Sequence, residues 1–97
     1  MLKDRFMQAL QSKHKIRLTF YSDADRRTLD RMCVPLDYGP GKVDKSDHFH
    51  VWDYESTSRG HLLSLKPEQV QRIDILAEEF DPTDFMWFLS RDWGQRV

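Results

Sequence analysis

The chain has 97 residues, of which 39% are hydrophobic and 32% charged, and a formal charge of −1. Folding at this length buries roughly 65% of the surface that the unfolded chain exposes. That supports one modest core and excludes a large enzyme scaffold or a pair of domains. No run approaches the about 18 apolar residues of a membrane span, and Met1 to Leu10 lacks the apolar centre of a secretion signal, so a cytoplasmic protein away from membranes is expected. The single cysteine, Cys33, can form neither an internal disulfide nor a zinc knuckle.

Charge is unevenly spread. Residues 1–31 hold eight basic and four acidic side chains, the remainder seven and twelve. A basic face is therefore compatible with a near-neutral chain, and such a face attracts phosphates or acidic partners.

In chain order, Leu2, Phe6, Ala9 and Leu10 recur at helical spacing and predict an amphipathic helix from residue 2 to about His14. The period then changes to two: Ile16, Leu18 and Phe20 alternate with Arg17, Thr19 and Tyr21, a half-buried strand. Ser22 to Asp25 supply turn chemistry, and a second strand from about Arg27 to Leu36 completes a hairpin. In that strand Met32, Val34 and Leu36 share one face, Arg31 and Cys33 the other, and Pro35 suggests an edge or a strand end. Asp37 to Ser46, with Gly39, Pro40 and Gly41, reads as a loop. His48 to Tyr54 predicts a strand with His48, His50, Trp52 and Tyr54 on one side and Phe49, Val51 and Asp53 on the other. Glu55 to Gly60 turns the chain into the strand His61 to Leu65. Pro67 opens a single helical turn, and Val70 to Leu76 forms a fifth strand in which Gln71, Ile73 and Ile75 alternate with Arg72 and Asp74. Asp81 and Pro82 suit the N-cap and first position of a short helix over about 82–89.

Helix, five short strands and helix with hairpin connections predict an α+β domain: a small antiparallel β-barrel or strongly curled five-stranded sheet, flanked by an N-terminal and a short C-terminal helix. Closure is favoured because it removes exposed strand edges.

Few residues suggest catalysis. His48 and His50 face one side of a strand and could meet His61 as metal ligands, but no carboxylate matches their spacing, and neither metal nor cofactor is expected. Cys33 between Met32 and Val34 reads as a small buried hydrophobe rather than a nucleophile. Asp44, Asp47 and Asp53 show no spacing that selects an acid–base pair. Gly39-Pro40-Gly41 lacks the following helix of a phosphate cradle.

A basic and aromatic strand surface is the better candidate. Arg17, Tyr21 and Arg31 on adjacent strands, with His50 and Trp52 beyond, suit stacking of bases and pairing with phosphates, so a nucleotide or short single-stranded nucleic acid is the expected ligand. A second expectation comes from Phe85, Met86, Trp87, Phe88 and Trp93, more apolar surface than one short helix can hide. Phe85, Trp87, Phe88 and Trp93 would then form an interaction surface for a homodimer or a protein partner.

Several segments resemble WYL domains in order: Ile16-Arg17-Leu18-Thr19-Phe20-Tyr21-Ser22, Arg31 to Pro35, His61-Leu62-Leu63-Ser64-Leu65 leading to Arg72-Ile73, and Phe80-Asp81-Pro82. The likeness spans about residues 14–82. It implies a stand-alone, divergent member in which Phe49-His50-Val51 takes the place of the Trp-Tyr-Leu signature, with a single helix ahead of the strands instead of a helix-turn-helix. The resemblance further implies an Sm-like or SH3-like barrel, a non-catalytic ligand-sensing role of the kind found in bacterial regulators, and a ligand face using Arg17, Tyr21, Arg31 and Arg72.

Overall fold

The computed structural model describes residues 1–41, 43–56 and 61–86. Helix α1 (Leu2–Ser12) buries Phe6 and Ala9 and stops where Lys13 turns left-handed, its N–H reaching back to the carbonyls of Ala9 and Leu10. Five strands follow: β1 (His14–Ser22), β2 (Arg27–Pro40), β3 (Asp47–Asp53), β4 (Leu62–Leu65) and β5 (Val70–Glu79). They form one antiparallel sheet in the order β4-β3-β2-β1-β5. One 3₁₀ turn, Pro67–Gln69, joins β4 to β5, and another, Pro82–Phe85, follows β5.

The sheet curls but does not close into the expected barrel: no ladder joins β4 to β5 among the described residues. Flat, its outer strands would stand about 19 Å apart at about 4.8 Å per step. Residues 66–69 alone connect them, and this link runs partly through a compact 3₁₀ turn, so the edges must bend towards each other. With only four residues, β4 offers little ladder for closure.

Strand pairing sorts the side chains into two faces, because directly opposite residues share a face. The inner face carries Ile16, Leu18 and Phe20 from β1, Cys33 from β2, Phe49 and Val51 from β3, Leu65 from β4, and Val70 and Ile73 from β5; Phe6 and Ala9 of α1 complete this core. Phe6 and Tyr38 each meet Phe49 edge-on at 4.9 Å. On the outer face Val34, Leu36 and Phe85 form a second, smaller cluster with Trp52, Leu62 and Phe80.

Two predicted strands need correction. The strand expected to end at Leu36 continues to Pro40. A bulge at Leu36 lets Asp37–Pro40 pair with His50–Asp47, so the loop begins only after Pro40. Pro35, Gly39 and Pro40 are tolerated because β1 pairs with β2 only as far as Cys33, leaving this half of β2 without a paired strand on that side among the described residues. In β5 a second irregularity puts Val70 opposite Phe20 on the inner face, so Gln71 is exposed instead of alternating with Ile73 and Ile75. Of the helix expected over about 82–89, the described residues show a 3₁₀ turn over Pro82–Phe85, capped by the Asp81 carboxylate accepting the Thr83 N–H at 3.0 Å, and residues 87–89 lie outside them. Trp87, Phe88 and Trp93 lie outside the described residues.

Candidate functional site

Register decides which predicted ligand residues can meet. Arg17 pairs with Met32, Thr19 with Arg72, and Tyr21 with Thr28, so Arg17, Tyr21 and Arg72 share the outer face. Arg31 pairs with Leu18 and therefore lies on the inner face, on the opposite side of the sheet from Arg17 and Tyr21. The expectation that these three side chains form one surface is corrected on this point. His50 and Trp52 share the outer face but sit across β2, over its apolar half.

Each of the three arginines already faces a carboxylate. Arg17 Nη1 lies 3.2 Å from Glu55 and 3.5 Å from Asp30. Glu55 also accepts the Met32 N–H at 2.9 Å. Arg72 Nε lies 2.9 Å from Asp74. Arg31 Nη1 lies 3.1 Å from Asp53, whose side chain is only 3% exposed and whose other oxygen accepts the Glu55 N–H. An incoming phosphate would have to compete with these carboxylates, a cost that grows with burial.

The histidines make separate contacts. His48 Nδ1 donates to the Ser46 carbonyl at 2.6 Å, and His61 Nδ1 donates to the Asp53 carbonyl at 2.8 Å while its ring stacks on Trp52. His50 is buried. Its Nε2 lies 3.2 Å from the carbonyls of Gly39 and Pro40, and carbonyls only accept, so this nitrogen carries the hydrogen. In the neutral ring Nδ1 is then the acceptor, and it takes the Ser64 hydroxyl at 2.7 Å. Burial lowers the His50 pKa; the two carbonyls and the Asp37 carboxylate oppose the shift. Among the described residues no three histidine, cysteine or acidic side chains are placed to hold a metal. Cys33 is buried, and loss of water drives its thiol pKa far up, so it stays protonated.

The described residues also form a concave feature. Where β2 runs on beyond β1, a cleft of about 200 Å³ opens between Leu10 of α1 and its C-cap Lys13, Pro35 and Leu36 of β2, and Phe80, Pro82 and Phe85. Its outer wall is pinned by the Phe80 N–H donating to the Lys13 carbonyl at 2.9 Å. Among the described residues of the lining only Lys13 is charged. Exposed Glu78, Glu79, Asp81 and Asp84 surround the wall in sequence. Phe85 was expected at an interaction surface and does line this cleft. Lys13, Pro35, Leu36 and Phe80 are far apart in the chain and meet here only through tertiary packing, which no local pattern signals. Among the described residues no helix is long and apolar enough to cross a membrane.

No family model, curated protein or solved structure matches this chain.

Proposed function

We propose that the chain is a protein-interaction module that grips one bulky apolar side chain of a partner polypeptide in the cleft between α1, β2 and the Phe80–Phe85 turn. The cleft carries this reading. At about 200 Å³ it falls below the roughly 300–1,000 Å³ of small-molecule sites, yet it suits a single anchor residue of the kind that dominates protein interfaces. Among the described residues its lining is apolar apart from Lys13, and the flanking stretch brings four acidic side chains between Glu78 and Asp84. Charge complementarity therefore favours an anchor flanked by lysine or arginine.

Titrating the ¹⁵N-labelled protein with acetyl-Lys-Trp-Lys-amide tests this. Amide shifts should concentrate at Leu10, Lys13, Leu36, Phe80 and Phe85, and binding should weaken with salt and on replacing the flanking lysines by glutamates. Shifts confined to other residues, or none, would overturn the reading.

A nucleotide on the strand face is the second reading, favoured by exposed Tyr21 lying with Arg17 and Arg72 on the outer face. It predicts that an oligothymidylate shifts the amides of Arg17, Thr19, Tyr21 and Arg72 and loses affinity steeply with salt.

A further inference from the structure

Ser64 and His50 have the geometry of a nucleophile and its base. They sit directly opposite each other on β4 and β3, with Ser64 Oγ 2.7 Å from His50 Nδ1. Activated serines need three things: a base within about 2.6–3.2 Å, the right tautomer, and a third group that fixes it. The Gly39 and Pro40 carbonyls supply the last two by holding the hydrogen on Nε2. Ser64 is exposed while His50 is buried, so a reagent can reach the hydroxyl while the base keeps its orientation.

The ladder adds a donor. The Asp53 N–H bonds the His61 carbonyl at 2.8 Å, which makes 53/61, 51/63 and 49/65 the hydrogen-bonded pairs and 50/64 the other kind. The backbone N–H of Ser64 consequently points away from β3, towards the outer edge of the sheet. There it can meet an oxyanion formed on an acyl group attached at Oγ.

We propose that Ser64 is a nucleophile, with His50 as general base, that accepts the acyl group of activated esters arriving along the outer edge of β4. As the Ser64 Oγ–carbon bond forms, the hydroxyl proton passes to His50 Nδ1. The ester carbon–oxygen bond then breaks, and the departing alkoxide takes that proton, leaving alcohol and acyl-serine. Water reverses the sequence: it attacks the acyl carbon, gives a proton to Nδ1, and the released Ser64 oxygen recovers it, yielding a carboxylic acid. Nε2–H stays on the two carbonyls throughout, and Asp37, opposite His50 on β2, favours the transient imidazolium.

A fluorophosphonate probe, which forms an oxygen–phosphorus bond with loss of fluoride, tests the site on the full chain by intact mass and peptide mapping. The expected result is a single adduct on Ser64, absent from Ser64→Ala, with labelling reduced about a hundredfold or more in His50→Gln. Circular dichroism checks that both variants fold. Should His50→Gln fail to fold, the wild-type pH profile decides the base: labelling should level off above the ordinary histidine range and fall as His50 gains a proton. Among the described residues the titratable neighbours of His50 are Asp37 on β2 and His48 on β3, and Asp37→Asn should move the midpoint of that fall down. An adduct elsewhere, no adduct, or a rate that simply tracks hydroxide would overturn the proposal.

Discussion

Arg17 and Arg31 occupy neighbouring strands, carry the same charge and both contact a carboxylate, yet the sheet assigns them opposite work. Arg17 Nη1 lies on the outer face between Asp30 and Glu55, with both partners substantially exposed. Arg31 lies on the inner face against an Asp53 carboxylate that water hardly touches. Removing a charge from an exposed pair returns its partner to solvent, whereas removing one from a buried pair strands the other. The largest predicted effect follows. Arg31→Ala should lower folding stability by about 3–5 kcal/mol in urea denaturation, because Asp53 is left buried and unpaired. Restoring much of that loss in Arg31→Met/Asp53→Leu would identify stranded charge as the cause; equal losses in single and double variants would contradict it.

A second contrast separates the packed side of His48 from its rim. A methyl group added at Gly41 would lie 2.5 Å from the Asp44 carbonyl and 2.9 Å from the His48 ring, so loop 41–46 or the imidazole has to move. Gly41→Ala should cost about 1–3 kcal/mol, as overpacking does. Gly39 has room, its nearest such contact being 3.9 Å to the Asp37 carboxylate, so Gly39→Ala should cost clearly less in the same assay. A reversed order would show that the loop yields more readily than the strand.

The buried histidine gives the next effect, in pH. Above the ordinary imidazole value His50 is neutral folded and unfolded, and its contribution to stability is fully present. As the pH falls through about 6.5, the unfolded chain takes up the proton and the folded chain does not, so stability drops until the lower folded value is reached. Asp44 acts in a different window. The Ser46 N–H and Lys66 hold its carboxyl at about 2, so its contribution disappears only as the pH falls below the ordinary carboxylate range. Denaturation midpoints between about pH 7 and 5 should therefore fall in the wild type and fall less in His50→Asn.

The inner core was legible because it rests on local alternation. Ile16, Leu18 and Phe20 point inward from β1 as their period demands, and the helix brings Phe6 and Ala9 to meet them. The site was less legible because it rests on register. The sequence puts Arg31 with Cys33 and apart from Met32, but whether Arg31 joins Arg17 depends on the exact hairpin loop. With Ser22 opposite Arg27, Arg17 falls opposite Met32, and a shift of one residue would have reversed the assignment. The bulge at Leu36 was hidden by Gly39-Pro40-Gly41, whose composition signals a loop even though a strand with one free side tolerates the first two. Ser64 carried no signal of its own; only its pairing with His50 gives it one.

The smallest predicted effect sharpens the comparison of the two arginines most directly. Arg17→Ala removes a guanidinium that is 42% exposed from between carboxylates 61% and 40% exposed, so stability should change by no more than about 1 kcal/mol. Glu55 keeps its bond to the Met32 N–H, which limits the loss further. The same variant frees Asp30 and Glu55 from a shared cation and makes the outer face, where Asp74 lies opposite position 17, more acidic. If an oligothymidylate binds the wild type there, Arg17→Ala should abolish binding while leaving the urea midpoint nearly unchanged. Such a separation of binding from stability is unavailable at Arg31, where any loss of affinity would be entangled with loss of the fold. A destabilisation by Arg17→Ala as large as that of Arg31→Ala would mean that the outer pair is as shielded from water as the inner one.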